Sequence, residues 1–427
     1  MSSHTLKPRS GVGPTLLSPT RALALAAAGM SLIAVCYGLA RFAYGLFVPA
    51  FRESFALDAS ATGVIASGSY VAYCAGILAA TLATPWWGAR RTAVLAGVLA
   101  TLGTALIALT PGVVLLVAGV MLAGASTGLA SPPLAHAIAR RVHPGARSRL
   151  QTVVNAGTGL GVLVSGPVAL LAGEHWRFAW WVFAGAAALV TAWAAVAVPS
   201  GPRRAAAGVP VPRRALPGGG RPPAGAAHLL LAAAVVGGSS AATWTFGPDL
   251  LTSDGGHGQS FATLAWIVLG ACGLLGAVTG DATQRFGLRT VWACSLVALG
   301  AATAVLAAAP QDPVVALLAH GAFGGVYIVL TGVLLLWGAQ VFGREPARGV
   351  GLAFLFLALG QGGAAPLLGV LADQAGLPAA FWAASGIALL GLLVPAGGQA
   401  PSRSAGVRGS TTGWPSSGSG TTSASSP

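Results

Sequence analysis

Arg41 is the residue whose position in this sequence most strongly suggests chemistry. It lies inside a long apolar segment, 20 residues after Arg21, and a charged side chain in such a segment is costly and commonly functional. Tyr37, Arg41 and Tyr44 follow one another at i, i+4 and i+7, which places them on one helical face. Two phenols beside a guanidinium could bind a carboxylate or another planar anion. Alternatively, Arg41 snorkels outward or pairs with an acid or a carbonyl of a neighbouring helix.

Several other polar and aromatic side chains within apolar segments could line a binding cavity together with Arg41. Gln151 and Asn155 share a helical face, where they could contact a solute or simply link helices through amide hydrogen bonds. Trp244 and Gln361 face the same two alternatives. The candidate substrate-binding residues are therefore Arg41, Tyr37, Tyr44, Tyr70, Tyr73, Gln151, Asn155, Trp244, Tyr327 and Gln361.

His320 and His136 are the candidates for proton coupling, because histidine titrates near neutral pH and both lie in apolar segments. A histidine near the end of a segment is more often interfacial, and Arg140 follows His136 by one helical turn. No Asp or Glu lies in the middle of an apolar segment. The coupling ion therefore stays open.

The sequence argues against an enzyme, a metal site and a bound cofactor. It contains no His/Cys/Asp/Glu cluster with metal-ligand spacing, no Walker loop and no Ser/His/Asp arrangement that can be defended. Gly157, Gly159 and Gly161 resemble the start of a dinucleotide loop, but they lie in an apolar segment with no preceding strand. Close packing of helices explains them better.

The composition predicts that these residues are positioned by membrane-spanning helices. The chain has 427 residues, of which 55% are hydrophobic and 7% charged. A span needs about 20 apolar residues, and such segments recur along the whole chain. We predict an all-α integral membrane protein with about twelve spans at 22–48, 60–84, 92–110, 114–139, 150–172, 177–198, 228–251, 261–280, 290–309, 313–340, 349–371 and 377–396.

The distribution of charge predicts the orientation. If the N-terminus is inside, 20 of the 23 Lys and Arg residues lie in inside segments, whereas seven of the nine acidic residues lie outside. This asymmetry is what positive-inside insertion produces. Both termini are therefore predicted to be cytoplasmic, and the net charge of +14 indicates contact with anionic lipid rather than with nucleic acid.

The two halves of the chain resemble each other at a shift of about 199 residues. The matching positions keep the same inside or outside polarity, so the halves form a parallel repeat. We predict an N-terminal segment 1–21, a six-helix bundle 22–198, a central loop 199–227, a second bundle 228–397 and a disordered cytoplasmic tail 398–427. The matched pairs are Pro49 with Pro248, Gly88 with Gly287, Arg90 with Arg289, Arg149 with Arg348 and Pro167 with Pro366.

Two parallel six-helix halves joined by a basic loop resemble the major facilitator superfamily of secondary transporters. The stretch GDATQRFGLR at 280–289 looks like the family's signature loop G-x-x-x-D/R-x-x-G-R, and the first-half copy, TPWWGARR, lacks the acidic residue. The segment GLARFAYGLFVPAFRESFAL is similar to the bacterial YbfB/YjiJ-type branch. The resemblance implies gating roles for Asp281, Arg285, Arg289, Gly88 and Arg90. Alternatively, Arg285 and Arg289 anchor helix ends to anionic lipid.

The resemblance implies a secondary transporter that moves a small organic solute by alternating access in the bacterial inner membrane, coupled to an ion or a proton. Arg41 favours an anionic solute. The family's R-x-x-Q-G motif is missing, and its antiporter motif survives only as Gly166-Pro167, so drug/proton antiport is not supported. We expect a monomer. The alternative is a non-transporting membrane scaffold or sensor on the same fold.

Overall fold

The computed structural model describes residues 16–200, 222–343 and 346–397, and within these ranges the chain is predominantly helical, without strands. Eleven helices are long and apolar enough to cross a membrane, and a twelfth apolar helix is shorter. The predicted membrane fold of about twelve helices is thereby confirmed. The helices are α1 Pro19–Leu46, α2 Ala59–Trp87, α3 Ala89–Leu109, α4 Val113–Arg141, α5 Pro144–Ala172, α6 Trp176–Ala197, α7 Ala226–Ser253, α8 Gln259–Gly276, α9 Leu288–Ala308, α10 Pro313–Val341, α11 Pro346–Ala375 and α12 Leu377–Leu393.

Local sequence signals set several of these helix boundaries. Asp58 caps α2 by accepting from the N–H of Ala61, and Asp312 caps α10 in the same way. Gly88 separates α2 from α3 with φ +84°, and Gly287 precedes α9 with φ +79°, a region that glycine enters without steric cost. The glycines matched between the two halves therefore make equivalent turns.

The middle of α1 departs from regular α geometry. Residues Ala34–Phe42, which include Tyr37 and Arg41, form a π-helical segment, in which hydrogen bonds span five residues. Gly38 lies in this segment, and a Cβ there would come within 2.3 Å of the backbone of Gly161 in α5. The wide turn therefore packs directly against the neighbouring helix at a position that only glycine fits.

The helices define two faces of the bundle. At one face, called here the terminal face, Leu17 N–H donates to Arg141 O at 2.8 Å, so the start of α1 lies beside the end of α4. Arg90 Nε donates to Val198 O at 2.7 Å and Arg289 Nε donates to Ala396 O at 2.9 Å. The opposite face, called the distal face, carries the connections α1–α2, α3–α4, α5–α6, α7–α8, α9–α10 and α11–α12.

Helices α1–α6 and α7–α12, called here the N-terminal and C-terminal halves, are joined by polar contacts near the distal face. Arg52 forms a salt bridge with Asp249. The backbone N–H groups of Ala59 and Ser60, at the start of α2, donate to the Asp373 carboxylate of α11 at 2.9 and 2.8 Å. Asp373 thus caps a helix that belongs to the other half.

Close backbone packing continues this contact toward the middle of the bundle. A Cβ at Gly45 would lie 2.0 Å from Trp244 O, and a Cβ at Gly63 would lie 2.4 Å from Ala365 O. Both approaches join the two halves, and small residues permit such approaches between helices in membranes. These contacts, with Arg52–Asp249 and Asp373, are called the distal seal.

Candidate functional site

Arg41 lies between the two halves and is hydrogen-bonded across them. Its side chain is 6% exposed, and Nη2 donates to Gln361 Oε1 at 2.8 Å. Gln361, midway along α11, in turn donates from Nε2 to Ser240 Oγ at 3.2 Å and to Tyr327 OH at 3.4 Å. One buried network therefore links α1 with α7, α10 and α11.

Aromatic rings surround the Arg41 guanidinium. Its Cζ lies 4.8 Å from the ring centroid of Phe42, 4.6 Å from that of Tyr70 and 4.5 Å from that of Tyr73. The negative ring faces partly compensate the buried charge. In the described part of the chain, the Nε atom of Arg41 has no hydrogen-bond partner. The guanidinium therefore keeps the capacity to bind an acceptor.

A cavity lies on the terminal side of Arg41. We call it the terminal-side cavity. It is bounded by rings, by aliphatic side chains and by a few polar groups from both halves, so a solute here would contact both. Its lining residues are Tyr37, Arg41, Phe42, Tyr73, Asn155, Thr158, Tyr327, Ile328, Thr331, Phe354 and Leu357.

A second, smaller cavity lies on the distal side of Arg41. We call it the distal-side cavity. Arg41 and Phe42 line both cavities, so the two spaces meet at this pair of residues. The Trp244 ring stacks on Phe42 with centroids 4.0 Å apart. The lining of the distal-side cavity is Arg41, Phe42, Tyr44, Gly45, Ala66, Ser69, Tyr70, Trp244 and Thr245.

Most residues predicted for binding lie around these two cavities. Gln361 does not line either cavity but holds Arg41. Tyr44 lines the distal-side cavity, and its hydroxyl donates to Thr62 O at 3.1 Å. Gln151 borders neither cavity. Those that line a cavity are Tyr37, Arg41, Tyr44, Tyr70, Tyr73, Asn155, Trp244 and Tyr327.

Several residues that line the two cavities were missed from the sequence, and Phe42, Ser69 and Thr245 are three of them. Phe42 lines both cavities, and its neighbour Arg41 could have drawn attention to it. Ser69 and Thr245 line the distal-side cavity. A single hydroxyl in an apolar span gives no distinguishing signal, because such hydroxyls commonly bond to their own helix backbone.

The residues predicted to gate lie at the terminal face. Arg90 and Arg289 each bond to the carbonyl that follows the last helix of their own half. Asp281 is exposed, and within the described residues it forms no ion pair. The Arg285 guanidinium lies 5.3 Å from the Phe286 ring. Gly88, which matches Gly287 in the second half of the chain, forms the turn between α2 and α3.

The two histidines lie in different surroundings. His320 is 1% exposed, its Nδ1 lies 2.9 Å from Ala316 O, and its Nε2 has no hydrogen-bond partner among the described residues. It borders neither cavity. His136 is half-buried in the last turns of α4, toward the terminal face.

Comparison with solved structures shows that the fold is similar to that of several membrane transporters. The D-xylose-proton symporter matches with a TM-score of 0.69 at 15% identity, covering 88% of this chain and 97% of that chain. The inward-open xylose transporter XylE from E. coli matches with a TM-score of 0.68 at 15% identity, covering 88% and 94%. A point mutant of the nucleoside transporter NupG matches with a TM-score of 0.67 at 13% identity, covering 86% and 98%.

The sequence places the chain more narrowly within this class. Residues 33–396 match the family model described as uncharacterised MFS-type transporter YbfB. The chain belongs to this family of transporters, which is not a family of enzymes. The predicted resemblance is confirmed. A comparison with curated protein sequences finds no match.

Proposed function

We propose that this protein is a secondary active transporter that moves a small organic solute, preferably an anion, by alternating access. The observation that carries the proposal is Arg41, a buried cation that lies between the two halves, adjoins two cavities and bonds across them through Gln361. A carboxylate ligand would form charge-assisted hydrogen bonds with the guanidinium. A scaffold or sensor would need neither the cavities nor the charge between them.

The contacts between the two halves are those expected for one state of an alternating-access cycle. The distal seal joins the halves through Arg52–Asp249 and Asp373, whereas the larger cavity lies on the terminal side of Arg41. If the terminal face is cytoplasmic, as the charge distribution predicts, this state is closed toward the outside. Opening the seal and closing the terminal side would then expose the same site to the other compartment.

The proposed setting is the bacterial inner membrane, where the protein acts as a monomer with both termini in the cytoplasm. The basic terminal face would contact anionic lipid headgroups. For coupling, we propose that His320 carries a proton, because its buried Nε2 is unpartnered within the described residues and lies close to Gly247 of α7. Asp281 and Arg285 would act as a latch at the terminal face when the halves close there.

The test is uptake and binding in proteoliposomes and detergent across carboxylates, sugars, amino acids and drugs. Arg41→Ala should weaken binding of the transported anion about tenfold or more, since a hydrogen bond to a charged group is lost. Arg140→Ala, which removes an exposed arginine at the end of α4, is the matched control and should leave binding unchanged. The anion preference fails if Arg41→Ala leaves transport and binding of every tested anion intact.

A further inference from the structure

Four buried polar atoms without hydrogen-bond partners in the described structure belong to residues that line the distal-side cavity. They are Arg41 Nε, Ser69 Oγ, Trp244 Nε1 and Thr245 Oγ1. Their residues are between 1% and 6% exposed. Leaving buried polar atoms unpaired is unfavourable, and the four residues that carry these atoms line one small cavity, which points to a ligand group.

The chemistry of these atoms specifies the ligand group. Arg Nε and Trp Nε1 can only donate a hydrogen bond, and the two hydroxyls can donate as well. A group that only accepts, such as a carboxylate, would satisfy all of them. Arg41 is the one charged residue in the lining of either described cavity, so the site has one positive charge to neutralise and no carboxylate to hold an ammonium group.

The terminal-side cavity specifies the remainder of the ligand. Its tyrosine hydroxyls are already engaged, since Tyr37 OH lies 2.9 Å from Ser131 Oγ and Tyr327 OH accepts from Gln361. Thr331 Oγ1 donates to Ile328 O at 2.8 Å. The surfaces left for a solute are mainly ring faces and aliphatic groups, which suit a planar apolar body better than a polyol.

We propose that the solute is an organic monocarboxylate with a planar apolar body. Its carboxylate is bound by Arg41, Ser69, Trp244 and Thr245 in the distal-side cavity, and its body lies against the rings of the terminal-side cavity. This assignment rests on the proposed transport function and names the class of substrate and the donors that recognise it.

Three other buried indoles show why position in a cavity matters. Trp180, Trp292 and Trp337 also have an Nε1 without a partner in the described ranges, but none of them lines either cavity. Trp337, in α10, packs on Trp292 with centroids 5.8 Å apart. The same change from Trp to Phe at 244 and at 337 therefore separates ligand recognition from the general effect of losing an indole N–H.

The experiment measures binding to the purified full-length protein by thermal shift and isothermal titration calorimetry. Benzoate is the principal probe. Benzamide keeps the body and removes the charge, acetate keeps the charge and removes the body, and phthalate adds a second charge. Phenylalanine adds an ammonium group, and xylose represents neutral polyols. Benzoate should bind most tightly, with each altered probe about tenfold weaker or more.

Two substitutions test the donors. Trp244→Phe keeps a ring to stack on Phe42 and removes the N–H, and Ser69→Ala removes a hydroxyl. Each should weaken benzoate binding about tenfold, whereas Trp337→Phe should leave it unchanged. Circular dichroism and unliganded melting temperature report whether each variant is folded.

The outcomes separate the substrate class from the transport function. If xylose or an amine binds and is taken up, while benzoate is not bound, the monocarboxylate assignment is overturned and transport stands. The assignment is also overturned if benzoate and benzamide bind equally, or if Trp244→Phe and Trp337→Phe have the same effect. If the wild-type protein neither binds nor moves any probe or any solute of the wider panel, both proposals fail.

Discussion

Neutralising Asp249 should open the distal seal. The Asp249 side chain is 6% exposed and that of its partner Arg52 is 29% exposed. At a separation of about 4 Å and an effective dielectric constant of about 20, two unit charges attract by about 4 kcal/mol before desolvation. Exposed pairs contribute about 0.2–1 kcal/mol, whereas losing one partner of a fully buried pair costs about 3–5 kcal/mol.

The pair joins the halves only when the seal is closed, so its loss shifts the balance between the two states. Because one partner is buried and the other is partly hydrated, we expect Asp249→Asn to cost the closed state about 1.5 kcal/mol. That cost corresponds to about a tenfold larger open population. The variant keeps the size of the side chain, so packing in α7 is preserved.

The assay is the rate at which a membrane-impermeant thiol reagent labels Ser67→Cys in a background without the native cysteines. Ser67 is half-buried in α2 and its hydroxyl donates to Gly362 O of α11 at 2.7 Å, so its exposure should increase when the halves separate at this face. In Asp249→Asn the labelling rate should rise about tenfold. Asp254→Asn makes the same charge change at the same face, in a half-buried residue that forms no ion pair with the other half among the described residues, and should leave the rate unchanged.

A labelling rate within about twofold of the parent would refute the reasoning, because such a change corresponds to less than about 0.5 kcal/mol. An equal rise in Asp249→Asn and Asp254→Asn would refute it as well, since the effect would then come from the local field and not from the pair. Exchanging the two charges, with Arg52→Asp and Asp249→Arg together, should bring the rate back toward that of the parent.

The remaining predictions use the same labelling assay or its transport counterpart. Gly45→Ala places a Cβ 2.0 Å from a backbone oxygen of the other half and should open the seal, whereas Gly363→Ala, with nothing within 4 Å, should not. Asp373→Asn weakens a cap supplied by the other half and should raise labelling several-fold, while Asp58→Asn weakens a cap within the same half and should lower the melting temperature without raising labelling. His320→Gln should abolish the dependence of uptake on an imposed proton gradient; uptake that still follows the gradient would remove His320 from the coupling proposal.

The helices could be predicted from the sequence because their signals are local and strong. Apolar runs of about 20 residues mark spans, and Gly88 and Gly287 mark equivalent turns at φ +84° and +79°. The helix boundaries differ from the predicted ones by a few residues. For example, α2 extends to Trp87, beyond the predicted end at 84.

The site could be predicted only in part. Polar and aromatic types in apolar spans pointed to Arg41 and most of its surroundings. The relative directions of these side chains could not be predicted. The prediction for Tyr37, Arg41 and Tyr44 assumed a regular period of 3.6 residues, and the π-helical segment Ala34–Phe42 breaks that period. Arg41 lies 20 residues after Arg21, in the distal part of α1, and its guanidinium bonds to Gln361, midway along α11.

The distal seal had no sequence signal. Arg52 and Asp249 are 197 positions apart, and both resemble ordinary loop or helix-end charges. In the sequence, Asp373 similarly resembles an ordinary solvated charge at the end of a helix, although its carboxylate caps α2 of the other half. Pairing at this distance depends on how the halves approach each other, which local composition does not encode.

The paired arginine bonds at the terminal face bear on how the molecule can deform. Arg90 fastens the start of α3 to the residue after α6, and Arg289 fastens the start of α9 to the end of the α12 segment. These bonds hold the helix pairs α3–α6 and α9–α12 together at the terminal face, so they resist bending within each half. The two halves are therefore expected to move relative to each other as rigid units. Spin labels on α3 and α6 should keep one separation throughout turnover, while labels on α3 and α9 should report two.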